Sequence, residues 1–131
     1  MALTDRHYTG LLAARTGMAA FVQHSERDAR AAGTTHAQHH VLLTLRGHLD
    51  PAGPTVKDIA AALGVASPSA VELVARMVGG GLLRREDDPT DARLTRLKLT
   101  ALGEQLLHSL SEVHLLRFRE LHRTNSTHLA D

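Results

Sequence analysis

Apolar residues recur along the first thirty positions at the spacing of one helical face. Tyr8, Leu11, Met18 and Val22 share a stripe in the alanine-rich run from Thr4 to about Arg30, which predicts one long helix. Arg15 falls on the same stripe, where a charge needs an ionic partner or water. Gly33 ends that helix, and Thr35 is placed to cap a second over residues 36–49, with Val41, Leu42, Leu45 and Leu49 as its inward side. Residues 50–54, Asp-Pro-Ala-Gly-Pro, read as a turn. Thr55 and Asp58 then have capping-box spacing ahead of Ile59, Ala60 and Leu63, and Gly64 suits a left-handed exit. Ser67 and Pro68 have the character of a cap and first position for another short helix. Its inward side is expected at Val71, Val74 and Met77 or Val78, and Gly79-Gly80-Gly81 stops it.

Beyond the glycines the period changes. Residues 82–86 and 94–100 read as two short strands, joined by a loop rich in turn formers from Asp87 to Ala92, which makes a hairpin. Helical periodicity returns at Leu102 with Leu106, Leu110, Val113 and Leu121 on one stripe, and fades near Thr124. At 1.5 Å per residue that helix is about 34 Å long, more than so small a core covers, so its far end calls for a partner. Two short helices joined at a glycine turn and followed by a hairpin define a winged helix-turn-helix. The expected fold is mainly α, with a small β-hairpin wing and long terminal helices.

A chain of 131 residues and 14.2 kDa fits one domain. Without cysteine it has no disulfide framework, thiolate nucleophile or zinc ribbon. No apolar run approaches the roughly 20 residues of a membrane helix, and the polar start Met-Ala-Leu-Thr-Asp-Arg is unlike a signal peptide, so a soluble, cytoplasmic chain without membrane contact is expected. His-Glu-x-x-His, Gly-x-Ser-x-Gly and phosphate-binding loops are all missing, which argues against an enzyme. The net charge of +1 gives no bulk electrostatic argument for nucleic acid. Local placement has to carry that argument.

In a winged helix-turn-helix the second short helix enters the DNA major groove and the wing reaches the neighbouring backbone or minor groove. Ser67 and Ser69, at the start of that helix, can meet phosphates with hydroxyls and free N–H groups. Glu72, a turn on, can accept from cytosine N4, while Arg76 either contacts the backbone or pairs with Glu72 at i, i+4. On the wing, Arg93 suits a narrow A·T-rich minor groove and Asp91 can orient it through a bidentate pair. Arg96 and Lys98 project from the returning strand opposite Arg84 or Arg85, adding Arg85 and Arg96 to the candidate contacts. Charge alone does not decide, because residues 55–98 hold seven basic residues against six acidic.

The run Asp88 to Gly103, DPTDARLTRLKLTALG, resembles the wing signature of the MarR family of transcription regulators, D-P-x-D-x-R followed by L-x-L-T-x-x-G. Residues 55–85 are similar to that family's helix-turn-helix, and Ala-Gln-His-His-Val-Leu at 37–42 to its second helix. The resemblance implies a single domain over 1–131, with a winged DNA-binding lobe at 35–100 and dimerisation helices at 1–34 and 101–131. It further implies a homodimeric repressor on a pseudo-palindromic duplex operator, relieved by a small-molecule effector that is anionic or aromatic. Arg93 matches the family's wing-tip arginine and Asp91 the residue that orients it. Ala92 departs from a frequent second arginine, Glu72 from a neutral or basic residue, and His39 from a usual aromatic. Family members usually continue past the position of Asp131 into a further helix.

Arg15, His39 and His40 are the candidate polar groups of an anion pocket, with Leu42 and Leu106 as apolar walls; an anion there would favour protonated imidazole. His36 and His40 are i, i+4 neighbours, and His108 with Glu112 repeats that spacing, so these four are the candidate ligands of a zinc-responsive variant of the same fold. No cofactor is otherwise expected. A third reading is a winged-helix protein-interaction module that has lost DNA affinity, favoured by Glu72 and the near-neutral charge.

Overall fold

The computed structural model describes residues 1–129. Its elements run α1 (Asp5–Ala31), α2 (His36–Gly47), α3 (Val56–Leu63), α4 (Ser67–Gly79), β1 (Leu83–Asp87), β2 (Thr95–Leu99) and α5 (Ala101–Leu129). Local chemistry accounts for most boundaries. The Thr35 hydroxyl accepts the Gln38 N–H and opens α2. Thr55 and Asp58 form a reciprocal box at the start of α3, at 2.9 and 3.3 Å, and Gly64 closes that helix with φ of 68°. β1 and β2 pair antiparallel from Leu83↔Leu99 to Asp87↔Thr95. Among the described residues no single helix is long and apolar enough to cross a membrane.

Four expectations shift by a few residues. α4 begins at Ser67, because the Ala66 carbonyl already accepts the Ala70 N–H at 3.2 Å; Ala66 is the cap, and the Ser67 hydroxyl does not perform that role. The inward side of α4 is Ala70, Val74 and Met77, so Val71, about 100° round the helix, is 52% exposed rather than buried. Leu49 lies beyond the end of α2, past an extended His48, and is 97% exposed. α5 also continues past Thr124 to Leu129.

The chain divides into two compact units, residues 34–109 and residues 1–33 with 110 onward. The winged unit has one core, in which Val41, Leu42, Ile59, Val74, Met77, Leu83, Leu97 and Leu107 are buried together. Where its hairpin meets the start of α5, Thr100 accepts the Gly103 N–H at 3.0 Å and its own N–H donates to the Leu82 carbonyl at 3.2 Å. A Cβ on Gly103 would stand 2.2 Å from that Leu82 oxygen. The Leu-Thr-x-x-Gly run is therefore a joint that admits no side chain at its last position.

In the helical unit, Phe21 lies 4.9 Å from the His114 ring and 6.4 Å from that of Phe118, centroid to centroid. Buried Ser25 shares a hydrogen bond of 3.2 Å with His114 Nδ1, and Arg117 forks onto Asp28 at 2.7 and 3.1 Å. Tyr8, Leu11, Met18, Val22, Val113 and Leu116 nevertheless remain exposed in the single chain.

Candidate nucleic-acid interface

The wing tip is built around one carboxylate. Asp88 follows β1, and its Oδ1 accepts the N–H groups of Thr90 and Asp91 and the Thr90 hydroxyl, each at 2.9 Å, which folds the loop into an Asx turn. Its Oδ2 accepts Arg96 Nε at 2.7 Å. With these donors, the Thr90 N–H foremost, the Asp88 carboxyl is held far below the usual carboxylate range. The loop then closes through Asp88 N–H to the Leu94 carbonyl and Leu94 N–H to the Asp91 carbonyl, both at 3.0 Å.

On that frame Asp91 takes Arg93 in a fork, Nε to Oδ1 at 3.0 Å and the terminal nitrogen to Oδ2 at 3.1 Å, while the Arg93 N–H also donates to Oδ1 at 3.0 Å. The Arg93 side chain is still 89% exposed. A guanidinium bound along one edge and open to solvent elsewhere is a fixed, outward-directed cation. The Arg93 side-chain bonds are the main reason the Asp91 carboxyl lies below its ordinary value.

α4 supplies the second part of the surface. Ser67, Ser69, Glu72 and Arg76 are all exposed, and Ser69, Glu72 and Arg76 follow one another at i, i+3 and i+7, on one face. No ion pair joins Glu72 to Arg76 among the described residues, so the intrahelical alternative for Arg76 is not realised. Arg85 is exposed on β1, whereas neighbouring Arg84 pairs with Glu86.

Arg96 corrects the sequence reading. It was expected as an outward contact, yet its side chain is only 15% exposed, tied to Asp88 and donating to the Gly53 carbonyl at 3.1 Å. A guanidinium with those partners is part of the wing's interior. Sequence reasoning treated Asp88 only as a turn former, although an Asp two residues before a Thr is the signal of an Asx turn.

The remaining candidates are divided between the two units. His36 and His40 stand one turn apart on α2, and among the described residues no group of three or more His, Asp or Glu side chains is arranged to hold a metal. Partial desolvation of its ring, then the charge of His36, pushes His40 below its ordinary value, away from the protonated imidazole expected beside a bound anion. His39 is buried, and Leu42 is wholly within the core rather than an open wall. Arg15 is exposed on α1 and makes no ion pair among the described residues.

Residues 32–94 match the model of the MarR family. Among solved structures, the chain is similar to a mutant of S. aureus MepR bound to an oligodeoxyribonucleotide, with 26% identity and a TM-score of 0.67 over 98% of this chain and 86% of that one. It shares a fold with AbsC, a MarR family transcriptional regulator from Streptomyces coelicolor, at 21% identity and a TM-score of 0.72, covering 92% and 81% of the two chains. Over 55 residues it is 44% identical to the LexA repressor of Magnetococcus marinus, a match spanning 40% of this chain and 24% of that protein.

Proposed function

The chain belongs to the MarR family of winged helix-turn-helix transcription regulators, and from that premise we propose that it is a homodimeric, sequence-specific DNA-binding repressor released by a small anionic or aromatic ligand. The observation that carries the DNA reading is the Asp91–Arg93 fork, which holds an 89%-exposed guanidinium at the wing tip. Such a group fits the negative potential of a narrow minor groove. α4 lies in the major groove, where Ser67 and Ser69 meet phosphate at the helix N-terminus and Glu72 faces base edges. Exposed apolar residues on α1 and α5 support a second copy as the partner of the helical unit. Two recognition helices then require half-sites centred about 10 base pairs apart. For the effector, the support is Arg15, an exposed cation on the apolar stripe of α1.

The test is DNA binding across a salt series, using duplex selected from a random pool. Arg93→Ala should weaken binding by about 1–3 kcal/mol and relax the preference for A·T pairs at the outer flanks. Equal affinity of wild type and variant at every salt concentration would refute the wing assignment. No salt-dependent binding by wild type would favour a protein-interaction module instead.

A further inference from the structure

We infer that Arg96 is a positioning residue that fixes the wing tip to the entrance of the helix-turn-helix, and so sets where Arg93 meets DNA. This deepens the DNA-binding reading and rests on it. The turn of residues 50–54 runs alongside β2. Leu97 N–H donates to the Pro54 carbonyl at 2.9 Å, and Lys98 Nζ to the Pro51 carbonyl at 2.8 Å. Gly53, at φ of 88°, lies so close to β2 that a Cβ there would stand 2.5 Å from the Leu97 oxygen. Thr55, the cap of α3, comes directly after Pro54. The first helix of the pair and the second strand of the wing are thus held by one piece of backbone.

Arg96 extends that attachment to the tip. One terminal nitrogen bonds to the Gly53 carbonyl at 3.1 Å and lies 3.7 Å from Asp50, while Nε bonds to Asp88 at 2.7 Å. Asp88, 5% exposed, in turn holds the N–H groups of Thr90 and Asp91. The order Gly53, Arg96, Asp88, Asp91, Arg93 is a continuous set of hydrogen bonds from the turn before α3 to the exposed guanidinium. Only a fork-shaped cation reaches both Gly53 and Asp88 at once, and lysine offers a single nitrogen. Without Arg96 the Asx bonds lose the anchor that steadies Asp88 and open more often.

Two measurements on Arg96→Gln test this. In the free protein, the Thr90 and Asp91 amides should exchange with solvent at least ~10-fold faster than in wild type, while the core amides of Ile59 and Met77 keep their protection. On DNA, Arg96→Gln should weaken binding about tenfold and flatten the A·T preference, with the slope of log K against log salt unchanged, because Arg96 touches no phosphate. Added to Arg93→Ala it should cost less than about twofold more, since both changes remove one contact. Additive losses, or a slope shallower by about 0.9, would make Arg96 a direct DNA contact and overturn the inference. Unchanged exchange at Thr90 and Asp91 would overturn it as well. Failure of wild type to bind any duplex removes the DNA reading, and with it Arg96's role toward DNA. General loss of protection at Ile59 and Met77 moves the test to Arg96→Lys, which keeps a cation on Asp88. Faster exchange at Thr90 and Asp91 in that variant supports the anchor, and unchanged exchange rejects it.

Discussion

The winged unit and the helical unit treat their apolar side chains in opposite ways. In the first, leucine, valine, isoleucine and methionine from three helices, both strands and the start of α5 bury one another, and the charged groups at the wing base have partners. In the second, the buried positions include Gly10, Ser25, Ala29 and Leu110, whereas Leu116 is 64% exposed among many apolar neighbours. A unit with the first composition closes its own core; one with the second has apolar surface left to cover. The contrast teaches that a closed core and uncovered apolar surface reside in different stretches of this chain.

The sharpest way to break that contrast is a core deletion. Leu42→Ala, at a fully buried position of the winged unit, should cost about 2–5 kcal/mol by chemical denaturation, independent of protein concentration. If it costs under about 1 kcal/mol, the winged unit is not the self-sufficient half. Leu116→Asp should do the reverse. It is expected to leave the single chain folded, but to shift sedimentation from dimer toward monomer at micromolar concentration and to make melting depend less on concentration. A wild type that is already monomeric there would remove the assembly half of the comparison.

A smaller effect sharpens the same point within the helical unit. The Arg117 guanidinium, through its side-chain hydrogen bonds, holds the Asp28 carboxyl below its ordinary value of 3.8. The stabilisation is complete above that value and is lost as pH falls through the lowered one. Asp28→Asn should therefore cost about 1 kcal/mol near neutrality. The deficit should narrow only in acid, and a deficit that narrows near neutral pH would assign the effect to another group.

How much was legible in the sequence follows from the range of each interaction. Thr35 as the cap of α2, Thr55 with Asp58, and Asp91 with Arg93 act across two or three residues, so spacing located them. Arg96 was misread because Gly53 is 43 positions away and alternation along a strand does not reveal which arginine turns inward. Val71 was misplaced because Ala70, too small to stand out as apolar, carries the core stripe of α4. α5 outlasts its sequence signal because the residues after Thr124 are weak helix formers, and propensity is only a weak prior. The histidine spacing located neighbours on one helix, but spacing along a helix cannot place the further ligands that a metal needs from elsewhere.

Gly53 has a consequence for heredity. Its left-handed backbone and the Leu97 carbonyl where a Cβ would sit leave nearly every other residue unfit at that position, although it offers no side chain to DNA. In a genetic selection for alleles that no longer hold their operator, codon 53 would return as often as the codons of base-contacting residues. Its mutants would be told apart by melting before they failed to bind. A map of DNA contacts drawn from such alleles alone would thus place one of its strongest marks where the protein meets only itself.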